Sequence, residues 1–135
     1  MRKLLTIGAL VAAAALLPAV PAVAATPHAP ALGPFCFTHT PPPSLVGFSV
    51  VGATAVVCTE PMQLLEATYE LEWNGIIVET DIERSANGTG VGAGATSPCT
   101  PGTYSARLTL DLKWPAGTTG VPTYTETSGA FVTTC

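Results

Sequence analysis

Hydrophobic and polar residues alternate strictly along two long stretches of this chain. In the first, Leu65, Ala67, Tyr69, Leu71 and Trp73 alternate with Glu66, Thr68, Glu70 and Glu72, the period of a half-buried strand. Asn74-Gly75 follows at once, and both residues accept the positive φ angles of a two-residue type I′ turn. Folding there predicts a hairpin in which Trp73 faces Ile76, Leu71 faces Val78, Tyr69 faces Thr80 and Ala67 faces Ile82. Apolar then meets apolar, a match that a one-residue slip would destroy. In the second stretch, Tyr104, Ala106, Leu108, Leu110, Leu112 and Trp114 alternate with Ser105, Arg107, Thr109, Asp111 and Lys113. Pro115 ends it, because proline has no N–H to give to a ladder.

Shorter elements fill the remainder. Phe35 to Thr40 reads as a short strand before the Pro41-Pro42-Pro43 break, and the valine-rich run Phe48 to Cys58 as another, with Gly52 as a bend or bulge. Ser85 to Pro98 has four glycines and only small, uncharged neighbours, and reads as a loop or weak edge strand. Tyr124 to Thr134 supplies a last strand. Sustained helical spacing is missing from all of these, and six or seven short strands separated by turn signals predict an all-β, antiparallel sandwich.

The N-terminus has a different character. Met1-Arg2-Lys3 is positive, Leu4 to Leu17 is a mostly apolar run broken by Pro18 and Pro21, and Ala22-Val23-Ala24 has the small-x-small pattern of a cleavage site. Together these predict a secretory signal over 1–24, the run being shorter than the ~20 residues a membrane anchor needs. A flexible lead-in over 25–34 and one β-sandwich domain over 35–135 would follow, released to the extracellular space. Signal removal takes Arg2 and Lys3, leaving Arg84, Arg107 and Lys113 against nine carboxylates. So acidic a chain is unsuited to nucleic acid or to anionic membrane surfaces.

Export also decides how Cys36, Cys58, Cys99 and Cys135 are read. In an oxidising compartment they form a disulfide framework, and their wide spacing lacks the close pairs of a zinc site. Three pairings are open. Strand geometry favours two of these bonds. A hairpin turning near Ala116–Thr118 brings Cys99 beside Cys135, and one around Gly47 brings Cys36 beside Cys58.

Gly52-Ala53-Thr54-Ala55-Val56-Val57-Cys58 resembles strand B of an immunoglobulin-like domain. Pro101-Gly102-Thr103-Tyr104-Ser105-Ala106 resembles the entry to strand F, with its tyrosine near a corner, and Trp73 suits the core tryptophan. The resemblance implies a small immunoglobulin-like antiparallel β-sandwich. Cys99 departs from it, standing before the second amphipathic strand where the family's bridge uses a cysteine inside. The alanine-rich leader and the Gly/Thr/Ala-rich body are also similar to small exported proteins of actinobacteria, many without an assigned role.

Candidate chemistry is sparse. His28 lies in the lead-in and His39 beside the proline run, and neither can be set against a nucleophile and a carboxylate by spacing. The expectation is a non-enzymatic, monomeric or weakly associating binding or surface-interaction module without cofactor or metal. In the hairpin register above, Glu70 faces Glu79 and Glu66 faces Glu83. Glu66, Glu70, Glu72, Glu79, Asp81 and Glu83 then share one outward face. Opposed like charges destabilise a sheet, so Arg84, Arg107 and Lys113 offset them or a basic extracellular protein or surface binds there. Calcium fits such flat rows poorly. Two further readings stand beside this one: a small secreted protease inhibitor presenting Thr96 to Thr100, and a carrier of a small apolar ligand between the sheets. Asn87-Gly88-Thr89 matches a glycosylation acceptor.

Overall fold

A computed structural model describes residues 32–33 and 35–135. The expected signal over 1–24 and most of the lead-in lie outside the described residues. Seven strands follow in order: β1 (Cys36–His39), β2 (Ser44–Val46), β3 (Ser49–Trp73), β4 (Ile76–Pro98), β5 (Gly102–Lys113), β6 (Thr123–Thr127) and β7 (Phe131–Thr133). All belong to one antiparallel sheet. Its spine is the β3–β4 hairpin, turned at Asn74 (φ 50°) and Gly75 (φ 81°) as the sequence predicts.

At 25 and 23 residues, these two strands are too long to stay flat, and they bend together. Pairing is continuous from Ser49↔Pro98 to Val57↔Gly90 and resumes at Met62↔Gly88. Four residues of β3, Cys58 to Pro61, therefore stand against Thr89 alone. Extra residues on one strand force a corner, and Asn87 (φ 54°) helps β4 follow it.

The corner divides the sheet into two leaves. The first holds β1, β2, the opening half of β3 and the closing half of β4. The second holds the closing half of β3, the opening half of β4, and β5, β6 and β7. They fold face to face. Tyr69 of the second leaf reaches Gly52 of the first, where a Cβ would overlap its hydroxyl. Thr38 Oγ1 on β1 donates to Glu126 Oε2 on β6 at 3.0 Å. The core between them takes Val50, Val56, Ala93 and Ala95 from one leaf and Leu65, Tyr69, Leu71, Tyr104, Leu108 and Leu110 from the other.

Both favoured disulfides, Cys36–Cys58 and Cys99–Cys135, are formed. Their registers match the expectation: Cys36 is the direct partner of Cys58, and Arg107↔Thr127 to Asp111↔Thr123 follow the expected β5–β6 pairing. Tyr104 does sit at a corner, its hydroxyl accepting from Thr100 N–H (2.9 Å) and donating to the Pro98 carbonyl (3.4 Å).

Of the two readings of Ser85 to Pro98, the edge strand holds: the segment is most of β4, which pairs with β3 alone among the described residues, because Val91, Ala93 and Ala95 pack inward opposite Val56, Thr54 and Gly52. One expectation needs correction, for the hairpin register slips by one. Trp73↔Ile76 and Glu72↔Ile77 pair as expected, but Leu71 faces Glu79, Tyr69 faces Asp81 and Ala67 faces Glu83. Val78 is the bulged residue. Ile76, expected in the core, is 63% exposed.

Candidate functional site

The slip re-sorts the six candidate acids. Directly paired residues of an antiparallel ladder project from the same face. Glu66, Glu70 and Glu72 alternate with the buried Leu65, Ala67, Tyr69 and Leu71 and so project outward. Glu79, Asp81 and Glu83 lie opposite Leu71, Tyr69 and Ala67, and so project toward the first leaf. The single acidic face expected from the sequence is therefore two groups on opposite faces.

Only one group has its charge answered. On the outer face, Arg84 is the cross-strand partner of Glu66 and pairs with it. Arg107, next to Glu70 on β5, reaches Glu70 at 3.7 Å and Glu72 at 2.7 Å. Glu72 is 7% exposed and also accepts from Ser105 Oγ at 3.4 Å, so its charge is held by partners rather than by water. Proximity to Glu66 raises the Arg84 pKa through a hydrogen bond and Coulomb attraction. Arg84 and Arg107 thus supply the offset the sequence called for. Lys113, opposite Leu64, has no carboxylate within ion-pair distance among the described residues.

The inward-facing trio differs. Glu79 and Glu83 are exposed and form no ion pair among the described residues. Asp81 accepts a hydrogen bond from Gly94 N–H at 2.9 Å. That bond joins the two halves of β4 across the space between the leaves. It defines a mouth, with the carboxylates of Glu79, Asp81 and Glu83 on the second leaf and the glycine-rich edge of β4 on the first. Behind the mouth stands Tyr69, opposite Asp81, with a fully buried hydroxyl that has no hydrogen-bond partner among the described residues. Burial pushes its pKa up to about 12, since the phenolate would lose its hydration.

The other candidates have ordinary places. His39 is exposed on β1, and His28 lies outside the described residues. Thr96, Ser97 and Pro98 pair with Val51, Val50 and Ser49, and Cys99 N–H donates to the Phe48 carbonyl at 2.9 Å. The strip an inhibitor would present is laced into the sheet. Asn87 is exposed at the bend. Among the described residues, no three or more His, Cys, Asp or Glu are placed to hold a metal ion, and no helix is long and apolar enough to cross a membrane.

Sequence reasoning missed the mouth because it fixed the register from the turn outward. The signal was present: Ile76-Ile77-Val78 is a consecutive apolar run, which a period of two cannot accommodate without a bulge. No protein-family model, curated protein or solved structure matches this chain.

Proposed function

We propose that this protein is an exported, non-enzymatic binding module that holds a cationic partner at the mouth of its bent hairpin. The observation that carries the reading is the slip at Val78. It sends Glu79, Asp81 and Glu83 to one side of the hairpin, where they form no ion pair among the described residues, while Arg84 and Arg107 answer the acids on the other. Three carboxylates at alternate positions of one strand offer a row of acceptors to lysine or arginine side chains. Export is supported by the two disulfides, which persist in oxidising surroundings. On this reading the leaves form a small sandwich of immunoglobulin-like character, supported by the Tyr104 corner. The inhibitor reading is weaker because Thr96, Ser97 and Pro98 lie in the ladder with β3 and the Cys99 N–H is held by the Phe48 carbonyl.

Binding to poly-lysine at low salt tests the reading. Changing Glu79, Asp81 and Glu83 together to Gln, Asn and Gln should weaken it at least tenfold. Changing Glu66 and Glu70 to Gln should leave it within twofold, since those charges are already paired. Equal losses from both sets, or none from the first, overturn it.

A further inference from the structure

The backbone beside those three acids is itself unsatisfied. Among the described residues β4 pairs with β3 alone, so its far edge is open. The phase of the ladder says which groups are free. Cys99 N–H bonds to the Phe48 carbonyl, so in this unbroken register Ser97, Ala95, Ala93 and Val91 aim their N–H and C=O groups at β3. The intervening Gly90, Gly92, Gly94 and Thr96 aim theirs outward. The Gly94 N–H bond to Asp81 confirms that phase independently.

Open edges are normally guarded by charge, proline or a bulge. The first half of β4 has such guards in the Val78 bulge, Glu79, Asp81, Glu83 and Arg84. Ala86 to Ser97 has no charged residue and no proline, and Asp81 closes one amide of it. Gly92 is informative here. It lies inside a continuous register, its φ is not positive, and a Cβ there would meet no atom closer than the Thr54 carbonyl oxygen at 3.4 Å. The fold itself does not require glycine at that position. Glycine inside a strand also marks a place where another backbone comes close, and the edge beside Gly92 is open among the described residues.

We infer that the Gly90–Thr96 edge of β4 accepts an extended polypeptide segment as an added strand, one carrying lysine or arginine at alternate positions. Main-chain hydrogen bonds to the outward groups of Gly90, Gly92 and Thr96 supply the pairing, as in other strand-addition complexes. An added strand continues the first leaf, so every second side chain points across the mouth at Glu79, Asp81 and Glu83. A cation there also draws Asp81 from Gly94 and frees the fourth amide. The charges choose this occupant over two others. A second copy would bring its own trio against this one, like charge against like. The chain's own 25–34 segment has no lysine or arginine.

The inference rests on the cationic reading of the trio, and two peptides separate them. Titrate the oxidised protein with a peptide alternating lysine and threonine, and with its twin N-methylated at alternate backbone amides. Follow the Gly90, Gly92 and Thr96 amides by hydrogen exchange. Strand addition predicts at least tenfold tighter binding of the unmethylated peptide, with exchange at those amides slowed at least tenfold. Equal binding of both twins, abolished by the trio substitution, would overturn strand addition and leave the cationic site standing. Binding of neither peptide, or binding indifferent to the trio substitution, would overturn both. A doubling of mass without peptide, with the same amides protected, would replace the peptide by a second copy.

Discussion

The two leaves share the same two strands yet are built differently. The second is a conventional amphipathic sheet. Its inner face is Leu65, Tyr69, Leu71, Tyr104, Leu108 and Leu110, all buried, and its outer face is charged and internally paired. Up to the corner at Cys58 to Pro61, the strands of the first leaf contain no Asp, Glu, Lys or Arg. Its core side chains are small, chiefly Val50, Val56, Ala93 and Ala95, and its outer face leaves Phe37 and Val57 (60%) exposed. Burial contributes about 25 cal/mol per Å² of apolar surface, so valine and alanine contribute less per residue than leucine and tyrosine. The first leaf compensates covalently, through Cys36–Cys58. The second leaf is held chiefly by packing and the first by a cross-link of its own, while Cys99–Cys135 ties the end of β4 to the segment after β7.

The sharpest way to break that contrast is to remove the cross-link. Changing Cys36 and Cys58 together to Ala should cost about 3 to 4 kcal/mol in the chain-entropy account, a large share of a small domain's net stability of about 5 to 15 kcal/mol. The loss should also be local. In native-state hydrogen exchange, amides of Val50 to Val57 and Val91 to Ser97 should exchange much faster, while those of Leu65 to Leu71 keep more of their protection. Uniform loss of protection across both leaves would show that they unfold as one unit.

The second leaf has a weak point of its own, the ion pairing on its outer face. Glu72 is buried and relies on Arg107. Replacing Arg107 with Met keeps the aliphatic stem but strands the carboxylate. Full burial of an orphaned charge costs 3–5 kcal/mol, but the Arg107 side chain is 44% exposed, and water can reach the gap. We expect a loss of about 1 to 2 kcal/mol in urea unfolding, mostly recovered by adding Glu72→Gln. If the double variant is no better than Arg107→Met alone, the cost comes from lost packing.

The same contrast explains how far sequence reasoning reached. Where side chains are large and alternate cleanly, as in Leu65–Trp73 and Tyr104–Leu112, strand and inward face were legible, and so was the β5–β6 pairing, while the partners of Leu71, Tyr69 and Ala67 were shifted by the bulge. Asn74-Gly75 marked the turn, and two cysteine pairs equidistant from their turns marked the disulfides. In Ser85–Pro98 glycines alternate with the small residues Thr89, Val91 and Ala93. Too little hydrophobic contrast remains to tell an edge strand from a loop, or to reveal a partner some forty residues upstream. The acid positions were legible, but their faces hung on one bulged residue. A slip of one moves every later side chain to the other face, so Val78 turned one acidic surface into a paired row and an open mouth. Which face of a hairpin carries its unpaired charges can thus rest on a defect that alternation alone does not locate.

The leaves meet at Tyr69 and Gly52, and that contact holds the smallest effect and the most specific one. The Tyr69 hydroxyl is buried without a partner among the described residues, and a hydroxyl stripped of water without replacement is unfavourable by about 1 to 3 kcal/mol. Tyr69→Phe keeps the ring and removes the cost, so it should stabilise the protein by about 1 kcal/mol at neutral pH. Alkaline titration supplies a second signature. An unfolded tyrosine ionises near pH 10 and this one near 12. Between those values the unfolded chain has lost its proton while the native one keeps it, so stability falls as pH rises, by at most about 1.4 kcal/mol per unit. This contribution is whole below pH 10 and gone above 12. Tyr124, raised by desolvation and by its hydrogen bond to Glu126, acts in the same direction and remains in the variant. Urea midpoints between pH 9 and 12 should therefore fall less steeply for Tyr69→Phe than for the parent. Parallel curves would mean that water reaches the hydroxyl, and that the leaves do not close over Gly52 in solution.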